Sequence, residues 1–233
     1  MPGDAAGPSP KGRLYVVATP IGNLEDMTFR AVRVLGEAEA IACEDTRQTL
    51  KLLNKYGLRK WLISYFHPRE GRKIPEIIGL LRSGKDVALV SDAGTPGISD
   101  PGFPLIREAL KEGFTVIPIP GPSAVTAALS AAGLPTHRFL FAGFPPPKRE
   151  GLRKLLRSLR EEEATLVFYL PTRRVLEFLE AVLKDLGDRK IVIARELTKI
   201  HEEFLRGTAA GLLRDLEKRT LKGEATVLVD GHA

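Results

Sequence analysis

The chain has 233 residues, 43% hydrophobic and 27% charged, enough to bury one large core or two smaller ones. No apolar run approaches the roughly 18 residues a membrane-spanning helix needs. One cysteine, Cys43, excludes an internal disulfide and a thiolate metal cluster, and the four histidines show no paired metal spacing, so no metal site is expected. Lys and Arg exceed Asp and Glu by 35 to 29; a net charge of +6 permits an anionic partner such as RNA without demanding one.

Residues 1–12, MPGDAAGPSPKG, have no apolar core; they read as a short disordered arm and not a signal peptide, which makes the cytoplasm the default location. Short apolar runs then alternate with amphipathic stretches. LYVVAT from Leu14, AIACE from Ala40, WLISY from Trp61, VALVS from Val87 and TVIPIP from Thr115 read as strands. MTFRAVRVLGEA, TLKLLNKYG, IPEIIGLLRSG and PLIREALKEG read as the helices between them. Strands separated by helices of this length predict βαβ units, a parallel sheet and right-handed crossovers. Cys43, inside an apolar run, reads as a buried inert thiol.

The rhythm persists beyond Gly121. PSAVTAALSAAG is a small-residue helix, FLFAGF a strand, REGLRKLLRSLREEE a helix with a heavily charged face, and TLVFYL a strand. RVLEFLEAVLKDLG, KIVIARE, AGLLRDLEKR and ATVLVDG continue as helix, strand, helix and strand. HEEFLRGTA follows KIVIARE without a crossover helix and predicts a mixed second sheet. About ten strands are too many for one comfortable sheet, so two α/β lobes are expected, 13–119 mainly parallel and 120–233 mixed.

Four loops follow apolar strands and are rich in Gly, Pro, Ser, Thr or Asp: Thr19 to Asp26, Glu44 to Thr49, Ser91 to Gly102, and Pro120 to Ala124. The third, SDAGTPGISDPG, is twice the length a simple turn needs. In a parallel sheet all four emerge at the carboxyl ends of the strands, where open α/β sheets bind ligands. Each also has a purely structural reading: Asp45 or Thr46 can cap the next helix, and Ser123 can start another. Neither a GxGxxG fingerprint nor a phosphate-loop motif is present, which weakens a nucleotide-dependent enzyme.

ATPIGNLEDMT, EDTR, SDAGTPGISDPG, PGPSAVTAALSAAGLP and ARELTK together resemble the ribosomal RNA branch of the tetrapyrrole methylase family, over nearly the whole chain from Leu14 to Gly231. Corrin-type relatives carry GGDP where this chain has AGTP. The resemblance implies two α/β lobes with S-adenosylmethionine in a cleft between them and a homodimer. It also implies 2′-O-methylation of a cytidine ribose in small-subunit (16S) ribosomal RNA, with an assembled or nearly assembled subunit as substrate. Carried over by position, Pro20, Ile21, Gly22, Thr95, Ile98, Ser123, Ala124, Leu170 and Ala225 are the expected cofactor contacts. The branch often continues past its final strand with a helical segment, and this chain ends at Ala233.

Ribose methylation requires alignment of oxygen, methyl and sulfur, and a route for the hydroxyl proton. Glu44, Asp45, Asp92 and Asp100 are the candidate carboxylates. Either Asp45 or Asp100 is expected to handle the proton, with Arg47 positioning a phosphate. The run Lys148, Arg149, Arg153, Lys154, Arg157 and Arg160, with Arg173 and Arg174, is the expected RNA-contacting surface, and Tyr65, Phe66 and His67 are candidate base-stacking groups. Two other readings stand beside this one: the same fold acting on a tetrapyrrole or protein acceptor, and a non-catalytic RNA-binding assembly factor.

Overall fold

The computed structural model describes residues 11–66 and 70–232. The N-terminal arm and His67 fall almost wholly outside them. The chain divides into two compact units, the first ending at Ser123 and the second beginning at Ala124.

The first unit holds β1 (Arg13–Val17), α1 (Phe29–Glu37), β2 (Ala40–Cys43), α2 (Thr46–Lys55), β3 (Trp61–Ser64), α3 (Glu70–Arg82), β4 (Val87–Val90), α4 (Phe103–Lys111) and β5 (Thr115–Ile119). All strand pairings are parallel, in the order β3-β2-β4-β1-β5. The central strands are apolar on both faces because both faces are covered. Ala40, Ala42, Val87 and Leu89 point into a core completed by Ile77 and Leu81 of α3 and Leu105 and Ala109 of α4. Ile41, Cys43, Ala88 and Val90 point the other way, against Val34 and Leu35 of α1 and Leu52 and Leu53 of α2. Alternation by one residue therefore assigns each strand side chain to its helical layer.

This winding has a consequence at the carboxyl rim. The loops after β1 and β2 lead to helices on one face, and the loop after β4 leads to α4 on the opposite face. Adjacent strands whose connections part to opposite faces open a crevice between the loops.

The second unit holds α5 (Ala124–Ala132), β6 (Phe139–Gly143), α6 (Arg149–Ser158), β7 (Thr165–Pro171), α7 (Val175–Asp185), β8 (Lys190–Arg195), β9 (Glu203–Thr208), α8 (Ala209–Leu216) and β10 (Glu224–Val229). The order is β6-β7-β10-β8-β9, with β6 parallel to β7 and the remaining pairs antiparallel. One face of this mixed sheet packs Phe168, Ile193 and Val227 against α6, α7 and α8. The other is covered by α5, whose small residues Ala128 and Ala132 let it sit close on β10 and β8. The β8–β9 pair matches the expected strand without a crossover helix.

No helix of the described residues is long and apolar enough to cross a membrane.

Candidate active site

The loops after β2, β4, β1 and β5 leave four neighbouring strands of the first sheet, and backbone and side-chain bonds join them. Thr19 and Gly94 exchange both backbone hydrogen bonds at 2.9 Å, pinning the first loop to the third. The buried Thr19 hydroxyl donates to the Ser91 carbonyl at 3.1 Å, reinforcing the join. The Asp92 carboxylate accepts from the Asp45 backbone N–H at 3.0 Å and ties the third loop to the second. A Cβ on Gly121 would lie 3.0 Å from the Ala18 Cβ, so the fourth loop packs directly on the base of the first. A Cβ added to Gly94 would meet the Pro122 carbonyl at 3.9 Å, so the third loop faces the fourth as well.

Local chemistry shapes each loop. In the first, the Asn23 side chain accepts from the Glu25 N–H of a single 3₁₀ turn, and Thr28 caps α1 through Ala31 N–H at 3.1 Å. The Tyr56 hydroxyl, from the end of α2, donates to the Leu24 carbonyl and anchors the far side of that loop. The third loop folds back on itself: Gly97 N–H donates to the Pro101 carbonyl, and Ile98 N–H to that of Thr95. At Gly102, φ is +150° and a Cβ would sit 3.1 Å from Gly97 N and 3.2 Å from the Leu89 side chain, a conformation and a space that suit only glycine. Ser99 also holds a positive φ of 61°, uncommon outside glycine.

The second loop carries an ion pair and a partly buried acid. Asp45 caps α2 by accepting from Arg47 N–H at 2.8 Å, and its carboxylate pairs with the Arg47 guanidinium at 2.7 Å. The Arg47 side chain and then its backbone N–H hold the Asp45 carboxyl at a pKa of about 2. Glu44, one residue earlier, behaves oppositely: burial first, and then the Asp92 charge, push its carboxyl above the usual range.

The expected cofactor residues of the first unit all lie on these joined loops. Pro20 is buried, Ile21, Thr95 and Ser123 are half-buried, and Gly22 and Ile98 are exposed. Ala124, half-buried, opens α5 at the start of the second unit. Asp100 is half-buried in the third loop and Arg47 is exposed. Leu170 and Ala225 belong to the second unit, where they are direct cross-strand partners in the antiparallel β7–β10 ladder. Their side chains point into its core, so only their backbone is left for a ligand, and pairing of β7 with β6 stops at Phe168, two residues before Leu170.

Several expected surface residues are committed elsewhere. Tyr65 is 1% exposed in the first unit's core, and this burial excludes it as a stacking platform. Arg174 is held by Glu177 and by the carbonyls of Pro145 and Pro146, where it secures the proline turn after β6. Arg153 makes a two-point bond to Asp185. The sequence supplied Glu44 and Asp92 as candidates but no means of ranking them; the cross-loop bond and the burial that separate their behaviour arise between segments 47 residues apart. Cys43 is buried, with its thiol pushed up by burial, the condition of an inert core cysteine.

This donor set fits a sulfonium amino acid nucleoside. Thr95 and Ser123 offer hydroxyls, the exposed glycine bends at Gly22 and Gly121 offer closely approachable backbone, and Ile21 and Ile98 offer apolar cover.

Known proteins place the chain in context. The family profile of the tetrapyrrole (corrin/porphyrin) methylases matches residues 13–213. The chain is 49% identical over 222 residues to the ribosomal RNA small subunit methyltransferase I of Halalkalibacterium halodurans, covering 95% of this chain and 77% of that protein. It is 46% identical to the protein of the same name from Thermotoga maritima, covering 94% and 99%. Among solved structures it resembles the methyltransferase CobJ, with a TM-score of 0.69 at 23% identity and 95% coverage of both chains. A cobalt precorrin-4 methyltransferase gives 0.68 at 18%, with 94% of both chains covered. At such identities the two structures speak for the fold alone.

Proposed function

Because the chain belongs to the tetrapyrrole (corrin/porphyrin) methylases, which are S-adenosylmethionine-dependent methyltransferases, we propose that its acceptor is small-subunit (16S) ribosomal RNA and its product a cytidine ribose 2′-O-methyl group. The observation that carries this reading is the 46% identity to a ribosomal RNA small subunit methyltransferase over 94% of this chain and 99% of the relative. The solved cobalt precorrin-4 methyltransferase and CobJ share the fold at 18% and 23% identity. The enzyme is proposed to work in the cytoplasm, as a homodimer, on an assembled or nearly assembled subunit.

S-adenosylmethionine, when bound, supplies an electrophilic methyl group on a sulfonium that departs as a neutral thioether. Pro20, Ile21, Gly22, Thr95, Ile98, Ser123 and Ala124 are proposed to hold it, with the backbone of Leu170 and Ala225 as further contacts. The chain's own task is to fix the acceptor hydroxyl and receive its proton as the new O–C bond forms. A carboxyl held at about 2 is a weak base at neutral pH, so Asp45 is assigned to orienting Arg47. Arg47, exposed and aimed by that pair, then binds an acceptor phosphate through its planar fork. Asp100 is assigned as the proton acceptor.

Transfer of a tritiated methyl group from the cofactor to small subunits lacking the mark, followed by mapping of the alkali-resistant ribose, tests this reading. Label at a single cytidine ribose is expected; label on a base, or only on a tetrapyrrole, overturns it. Asp100→Asn should reduce kcat roughly 10²-fold or more, the scale of a lost general base, with cofactor affinity unchanged. Ser123→Trp should weaken cofactor binding, and unaltered affinity would remove the fourth loop from the site.

A further inference from the structure

The helical layer of the second unit contains a groove of about 620 Å³ along α6 and α7, bordered by Arg149, Glu150, Arg153, Arg157, Glu180 and Lys184. Charge is unevenly distributed along it. Toward the start of α6, Arg149 reaches Glu180 across the groove at 3.2 Å, and Glu150 adds a second carboxylate, so that stretch is close to neutral. Farther along, beneath the groove, Asp185 is buried and engaged by the Arg153 guanidinium through two 2.8 Å bonds. Arg157 and Lys184 act on the same carboxylate through space, so three cations converge on one internal anion. Arg157 and Lys184 are exposed, and neither has an ion-pair partner among the described residues.

The surplus is therefore structural in origin. Asp185 fixes the direction of Arg153 and is consumed in doing so, while Arg157, one helical turn on, and Lys184, on the facing helix, make no direct ion pair among the described residues. Apart from Ala181 every lining residue is charged, so a partner seated here must meet ionised groups. The Arg157 guanidinium fork beside the Lys184 ammonium, with the Arg153 charge behind them, matches the oxygens of phosphodiesters.

We propose that the Arg153–Arg157–Lys184 end of this groove is a docking site for the RNA phosphate backbone, on a different unit from the loops assigned to methyl transfer. The proposal rests on the reading of RNA as the acceptor, and binding measured apart from methyl transfer separates the two.

The test is the double variant Arg157→Glu/Lys184→Glu, which leaves Arg153 and its buried partner intact. Measured on unmodified small subunits, KM should rise at least tenfold, while kcat and calorimetric cofactor affinity stay within twofold of the parent. Affinity for a protein-free fragment of the small-subunit RNA should fall too, and its dependence on log salt should become shallower by about 1–2, since each phosphate contact contributes roughly 0.7–0.9 to that slope. Unchanged KM and slope overturn the proposal. So does weaker binding to assembled subunits with undiminished affinity for protein-free RNA, which would make the partner a protein. Should the charge reversal fail to fold, Arg157→Gln/Lys184→Gln serves, with a smaller rise in KM expected and an unchanged KM again overturning the site. If the parent binds RNA through this groove but methylates none, the docking site stands and the acceptor assignment falls.

Discussion

Gly94 shows how much a single position does on the rim of the first sheet. Its φ of +76° lies in the left-handed region, and it supplies both backbone bonds of the join to Thr19. Gly94→Ala should cost about 1–2 kcal/mol from backbone strain alone, read as a lower unfolding midpoint in denaturant, and should weaken cofactor binding with it. Asp45 makes a second case. Its carboxyl sits at about 2 in the folded chain against an ordinary 3.8, so its stabilising effect is complete above pH 4 and is lost as pH falls toward 2. Asp45→Asn keeps a capping side chain but loses the charge. The stability difference between variant and parent should therefore shrink across that window, and acid titrations of both should converge at its lower end. The capping role of Asp45 was legible in EDTR, because a short acceptor before an amphipathic stretch is a local signal. The opposite behaviour of Glu44 was not, since it depends on burial beneath the loop that brings Asp92 across.

Elements were the most readable scale. Nine of the ten strands among the described residues correspond to apolar runs in the sequence, because a well-covered strand of four to seven residues has little room for exceptions, while β9, a half-exposed edge strand, corresponds to the polar HEEFLRGTA. Helix starts were less exact. TLKLLNKYG begins at Thr49, whereas α2 starts at Thr46, because the Asp45 cap brings polar residues into the first turn where no apolar period marks them. The 3₁₀ turns at Leu24–Asp26 and Thr172–Arg174 are too short to leave a periodic trace in the sequence. Two threonine caps allow a check on element energetics: Thr28 on α1 and Thr208 on α8 each accept from the backbone N–H three residues on. Thr28→Ala and Thr208→Ala should each cost about 1 kcal/mol, measured by denaturant unfolding. Thr28→Ala should also lower cofactor affinity because it sits at the end of the first site loop, and Thr208→Ala should not.

For the molecule as a whole, sequence established two α/β units and the sense of each sheet, but not the strand order of either. Order is decided by which crossover passes over which strand, and nothing in a run such as VALVS says that β4 will lie between β1 and β2. That placement makes the loops neighbours, so the site was legible as a list of segments before it was legible as a place. Net charge acts at this scale too. With +6 and an isoelectric point near 9.5, association with ribosomal RNA should weaken linearly in log salt, whereas binding of the small cofactor should be nearly flat. Titrating both between low and high ionic strength measures the contrast, and an RNA affinity insensitive to salt would detach this charge from RNA binding.

The exchange of hydrogen bonds between Thr19 and Gly94 makes one bend the template for the other. A residue inserted into or deleted from either would slide the donors of that segment past the acceptors of its neighbour, breaking two bonds at once and turning the next side chain over. Loop engineering aimed at a new methyl acceptor should therefore hold the chain length constant here and vary side chains only, or alter both bends together as a single unit.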